Sequence, residues 1–194
     1  MGRMGLSLAI FALIVFKTFW AETAALVLLV VATISDYVDG VIARRTMTTT
    51  PFGAIADPFA DKILVMAVFL AFASIRELAV PLWAVFLILL RELTISTLRV
   101  LAALHGEVMK AEATGKIKTC IQMSSAFIIL TLLELLIWAR TRPLPDFLAA
   151  APRLARPATW WLTVITAFFT IASGAVYLYN HRELLHKSWS EREH

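Results

Sequence analysis

The sequence predicts an all-α protein that crosses a membrane six times and forms a single embedded domain over residues 1–194. Composition is the first ground. Apolar residues make up 60% and charged residues 16%, whereas a soluble domain holds about 45–50% and about 25%. Distribution is the second: the apolar residues lie in long runs broken by prolines and charges, and mean hydropathy is +0.78. In hydrocarbon every backbone N–H and C=O needs an internal partner, so such runs form helices. Third, no stretch alternates polar and apolar residues, which sets aside a membrane barrel.

A hydrocarbon core about 30 Å thick takes about 20 residues of helix. The runs that qualify are 4–19, 23–43, 58–75, 81–104, 116–139 and 158–180. The first is short, and Lys17 can snorkel to the interface. It could instead be a signal peptide, with Arg3 ahead of apolar Leu6–Phe16. Ala21–Ala24 makes a poor cleavage site, however, and a second span follows at once, so a retained helix is expected. Between the fifth and sixth runs, Arg140–Pro157 carries Pro143, Pro145, Pro152 and Pro157 and is predicted to be a loop or interfacial linker. The one cysteine, Cys120, cannot form an intrachain disulfide and reads as a small packing residue. His105, His181, His186 and His194 show no metal-ligand spacing.

Net charge is +4, which suits contact with anionic headgroups or phosphorylated substrates. The basic residues form no stripe on a soluble module, so nucleic acid is not an expected partner. With the N-terminus inside, the inner face receives Arg3, Arg44, Arg45, Lys62, Arg99, Lys110, Lys116, Lys118, Arg182, Lys187 and Arg192. The outer face receives Lys17, Arg76, Arg140, Arg142, Arg153 and Arg156. The bias predicts both termini inside, with the arginines of 140–156 against the trend.

Chemistry concentrates in two neighbouring spans. Asp36, Asp39, Gly40, Ala43 and Arg44 fall within an arc of about 140° on a helix. Asp57 and Asp61 lie about 40° apart on the next, where Asp57 is placed to cap the helix with Pro58 at its first position. Two helices joined by a short loop can therefore aim four carboxylates at one point. Ionised and bare, four such groups repel, so they must be protonated, paired or metal-bound. This density of oxygen donors suits a hard cation, Mg²⁺ or Mn²⁺, and two ions could clamp a phosphoryl group. Gly40 and Ala43 leave room beside such ions, Arg44 can neutralise phosphate oxygens, and Gly53 permits close approach in the loop. The plainer readings are a structural pair or proton carrier for a lone aspartate, a helix cap for Asp57, and helix packing for Gly40 and Ala43.

The pattern Asp36-x2-Asp39-Gly40-x2-Ala43-Arg44-x8-Gly53-x3-Asp57-x3-Asp61 resembles the signature of the CDP-alcohol phosphotransferase family at every defined position. The resemblance implies a six-helix membrane fold, a homodimer, and an active site at the cytoplasmic face of the cell membrane. It implies Asp36, Asp39, Asp57 and Asp61 as ligands of a dinuclear metal site, with Asp61 also the general base for the acceptor hydroxyl. Asp39, Gly40, Ala43, Arg44 and Gly53 would border the CDP moiety.

A second cluster bears on the acceptor. Arg91 and Arg99 lie about 80° apart on the fourth helix. An arginine in an apolar run needs a partner, either Glu92 or a bound phosphate. Gly115, Lys118, Thr119 and Gln122 share an arc of about 100° on the fifth. The plainer reading of Lys116 and Lys118 is positive-inside anchoring, and Ser96 reads as a packing hydroxyl. Arg91-Glu92-x3-Ile95-Ser96-x2-Arg99, Gly115-Lys116-x-Lys118-Thr119-x2-Gln122 and Phe52–Lys62 resemble the phosphatidylglycerophosphate synthase branch, over about residues 24–125. That branch implies CDP-diacylglycerol as donor and sn-glycerol 3-phosphate as acceptor, with Arg91, Arg99, Lys116 and Lys118 available to its phosphate. Its members usually open with an amphipathic segment before an arginine. Here Arg3 has almost nothing ahead of it, so a misassigned start or a lost segment is expected. The alternatives are the same chemistry with phosphatidylglycerol, inositol phosphate or serine; a cation or proton transporter using the four acids; and a non-catalytic lipid-binding subunit.

Overall fold

The computed structural model describes residues 2–16, 18–46, 51–104, 113–141, 145–148 and 150–182; within these, the side chains at 2–4, 36–46, 51–61, 104, 113, 141 and 147 lie outside the description. The described residues form helices and turns with no strand. In chain order the helices are α1 (Gly2–Phe16), α2 (Phe19–Thr46), α3 (Pro51–Ala73), α4 (Leu82–Leu104), α5 (Ala113–Thr141) and α6 (Ala151–Asn180). Short 3-10 turns at Arg76–Leu78 and Asp146–Leu148 precede α4 and α6. Helices 114–140 and 151–180 are each long and apolar enough to cross a membrane.

Each apolar run has become a helix because its residues can bury one side and leave the other to a nonpolar surround. α1 packs on α2 and α3, α4 packs between α3 and α6, and α5 packs on α2 and α6. The core joins Ile10 and Ile14 of α1, Leu29 of α2, Phe69 and Phe72 of α3, Ile88 of α4, and Ile129 and Leu130 of α5. Phe69 and Phe72 meet edge to face with centroids 6.0 Å apart, a favoured aromatic geometry. The outward faces stay apolar, as Val27, Val31, Phe86, Ile128 and Phe168 show. Ile10 and Ile14 make α1 part of this core, as expected of a retained helix.

The turn from α3 to α4 is built locally. Ser74 Oγ donates to the Ala71 carbonyl at 2.7 Å. Ala79 then reverses the chain at φ 52, a left-handed conformation that costs a non-glycine residue about 1–2 kcal/mol. The turn is tied to the rest of the bundle, since Thr159 Oγ1 of α6 donates to the Leu78 carbonyl and Arg140 of α5 pairs with Glu77 at 3.2 Å.

α6 buries a stripe of small polar residues: Thr159, Thr163, Thr166, Thr170 and Ser173. Steps of three and four put them on one face. Thr163 and Thr166 donate to carbonyls one turn back at 2.8 and 2.7 Å, and Thr166 Oγ1 shares a hydrogen bond with Ser125 Oγ of α5 at 2.8 Å. Hydroxyls satisfied in this way let two helices approach closely in an apolar medium.

Five expectations are corrected. α3 begins at Pro51, not Pro58, because Pro51 suits the first helical position equally well. Asp57 therefore lies inside the helix and does not cap it, and Gly53 lies in the first turn and not in a loop. The segment 140–157 is largely helical: α5 runs to Thr141 and α6 starts at Ala151. Pro152 sits in the first turn of α6, where a missing N–H costs nothing. Pro157 is within α6, at an exposed end where water can take the carbonyl it leaves unpaired. Cys120 is exposed and does not pack.

Candidate active site

The last third of α2 carries Asp36, Asp39, Gly40, Ala43 and Arg44, and the first half of α3 carries Gly53, Asp57 and Asp61. Residues 47–50 connect the two helices, so all these positions lie at the same end of the bundle. The side chains of these eight residues are outside the described set. Among the described residues no group of three or more His, Cys, Asp or Glu side chains gathers.

The description of α3 side chains resumes at Lys62, directly after Asp61, and Lys62 belongs to a charged cluster. Its Nζ lies 3.3 Å from Glu92 Oε2 on α4. Lys118 Nζ on α5 donates to Glu92 Oε1, and Arg91 Nη1 lies 3.6 Å from that same oxygen. Glu92 and Lys118 are almost fully buried, at 1% and 3% exposure. Three helices thus converge three cations on one carboxylate. A buried ionic cluster is expensive unless its charges balance. Among the described side chains, this one gathers three cationic groups around one carboxylate.

α6 completes the enclosure. Arg91 Nη2 donates to Ser173 Oγ at 3.1 Å. Arg91 Nε and Gln122 Nε2 are buried donors without a hydrogen-bond partner.

Of the four cations expected at an acceptor phosphate, Arg91 and Lys118 come together here. Arg99 does not join them. It lies two turns further along α4, with its guanidinium 5.6 Å from the centre of the Tyr177 ring. Lys116 is exposed, because two residues along a helix turn it about 200° from Lys118. Lys62 and Ser173 were not expected. Their partners lie 30 and 82 residues away, and no local pattern points to either. Glu134, given no role from sequence, accepts a hydrogen bond from Thr23 Oγ1 at 2.7 Å.

A model of the CDP-alcohol phosphatidyltransferase family matches residues 1–172. The chain belongs to this family. As a CDP-alcohol phosphatidyltransferase it is a membrane-integral transferase, and the transporter and non-catalytic readings fall away. The chain is 36% identical over 168 residues to the CDP-diacylglycerol–glycerol-3-phosphate 3-phosphatidyltransferase of Bacillus subtilis (strain 168), covering 87% of this chain and 78% of that one. It is 33% identical over 147 residues to the enzyme of that name from Pectobacterium atrosepticum, covering 73% and 75%. To the cardiolipin synthase (CMP-forming) of Oryza sativa subsp. japonica it is 38% identical over 126 residues, covering 57% and 37%.

Proposed function

We propose that this CDP-alcohol phosphatidyltransferase moves the phosphatidyl group of CDP-diacylglycerol to sn-glycerol 3-phosphate, giving phosphatidylglycerophosphate and CMP. The observation that carries the choice of acceptor is the cluster of Lys62, Arg91 and Lys118 around Glu92. Arg91 and Lys118 are buried donors of the kind that grip a phosphate monoester. The cluster begins one residue after Asp61, so a phosphate held there would put the rest of a small acceptor close to that aspartate. The two bacterial relatives named above support the same acceptor.

In this reading Asp36, Asp39, Asp57 and Asp61 hold two divalent ions, Mg²⁺ or Mn²⁺. The donor set fits, because four carboxylate-bearing positions at one end of consecutive helices make an all-oxygen site for a hard cation. Bound there, the ions supply charge neutralisation at the pyrophosphate. Asp39, Gly40, Ala43, Arg44 and Gly53 border the CDP moiety. Arg91 and Lys118 grip the acceptor's phosphate, with Lys62 beside them. Asp61 takes the proton from the C1 hydroxyl of glycerol 3-phosphate. That oxygen forms a bond to the lipid-bearing phosphorus, and the bond from this phosphorus to the CMP oxygen breaks. The rate gain comes from alignment and charge balance. We further propose one domain of six spans, both termini inside, dimeric in the cell membrane, with the site facing the cytoplasm. The inward bias of lysine and arginine supports that orientation.

Phosphatidylglycerol, the acceptor for cardiolipin, is the second reading, favoured by the rice relative. A phosphodiester offers these donors two non-bridging oxygens where a phosphate monoester offers three. The test uses purified protein and labelled CDP-diacylglycerol, with glycerol 3-phosphate, phosphatidylglycerol, inositol phosphate and serine supplied one at a time. Mg²⁺, Mn²⁺ or chelator is present in parallel. CMP release with glycerol 3-phosphate and metal alone is expected; release only with another alcohol refutes the assignment.

A further inference from the structure

The slot that holds Arg91 is made by α6, in residues past the end of the family match at 172. Gly174 is buried against the arginine stem. A Cβ at 174 would stand 2.9 Å from Arg91 Cγ, 3.3 Å from Nε and 3.7 Å from Cδ. The first distance is shorter than real carbon contacts, and Cγ is near the root of the side chain. An added methyl group therefore cannot be relieved by moving the tip; the whole stem has to shift.

Ser173 fixes the other end. Its hydroxyl donates to the Thr170 carbonyl of its own helix at 2.9 Å, so its oxygen lone pairs face Arg91, which donates from Nη2 at 3.1 Å. Nη1 faces Glu92 at 3.6 Å. Nε remains a buried donor with no acceptor. A guanidinium held by its stem and one terminal nitrogen, with another donor unspent, is oriented to accept an anion in a fixed geometry.

We propose that Ser173 and Gly174 are positioning residues that hold Arg91 in the pose needed for the acceptor's phosphate, so that the end of α6 sets acceptor affinity. The proposal rests on the reading of Arg91 as a phosphate-binding residue given above.

The test is steady-state kinetics on the full-length enzyme in detergent, with KM for glycerol 3-phosphate and for CDP-diacylglycerol measured separately. Gly174→Ala raises KM for glycerol 3-phosphate about tenfold, the scale of one charged hydrogen bond, while kcat and KM for CDP-diacylglycerol stay within about twofold. Ser173→Ala raises the same KM by a smaller factor, and Ser173→Thr, which keeps the hydroxyl, restores it. In an Arg91→Ala background Gly174→Ala adds nothing, as expected of a residue acting only through Arg91. An unchanged KM in Gly174→Ala, or an equal loss with and without Arg91, overturns the proposal. Should Gly174→Ala not yield folded protein, the Ser173→Ala and Ser173→Thr pair decides alone, and an unchanged KM in Ser173→Ala overturns it. Arg91→Ala with a wild-type KM for glycerol 3-phosphate overturns the phosphate reading itself, a separate and distinguishable failure.

Discussion

Among the described residues, Glu77 and Glu92 each meet arginine or lysine, and their settings could hardly differ more. Glu77 pairs with Arg140 at 3.2 Å on the surface, with 34% and 59% of the side chains exposed. One cation faces one anion in contact with solvent, and such pairs contribute about 0–1 kcal/mol. Glu92 is buried and shared by Lys62, Arg91 and Lys118 from three helices. Burying charges in this way costs several kcal/mol per ion unless they are matched. The surface pair fastens a turn. The buried cluster, in the proposed reading, grips a phosphate.

The largest effect should come beside the buried cluster. Asp61→Asn removes the proposed base while keeping size and hydrogen-bonding shape. Turnover should vanish in the CMP-release assay while the melting temperature in detergent stays near wild type; normal turnover sinks the role of Asp61. Next comes Glu92→Ala, which takes the carboxylate away from buried Lys118 and Arg91. A loss of about 3–5 kcal/mol is expected, read as a large fall in melting temperature. A mild effect would mean that the cations already have other partners. The neutral buried pair of Thr166 and Ser125 sharpens the scale between these extremes: Thr166→Val should cost about 1 kcal/mol, measured in the same melt. Smallest of all is Glu77→Ala, within about 1 kcal/mol and without effect on turnover. A large loss there would erase the distinction between the two sites.

Much of this was legible in the chain. Apolar runs located all the helices because hydrocarbon demands internal hydrogen bonding over a set length. Fixed spacing assigned Asp36 and Asp39 to one helix and Asp57 and Asp61 to the next, and the structure has them on α2 and α3. Helix starts were less legible, since Pro51 and Pro58 carry the same signal and only tertiary packing chooses between them. The cation cluster was half legible. Arc arithmetic put Arg91 and Arg99 on one face but said nothing about depth, and eight residues separate them by about 12 Å along the axis. Lys62 and Ser173 were invisible, because what makes them functional is a partner on a distant helix. The Gly174 slot was hidden for that reason too: its meaning lies in the arginine stem that crosses it.

The central claim is that the buried cations bind the acceptor's phosphate. Lys118 tests it most directly, being buried against Glu92 and distant in sequence from the aspartate motif. In Lys118→Ala, KM for glycerol 3-phosphate should rise about tenfold or more, with KM for CDP-diacylglycerol unchanged in the same preparation. A wild-type KM for glycerol 3-phosphate, or a rise confined to CDP-diacylglycerol, would contradict the account.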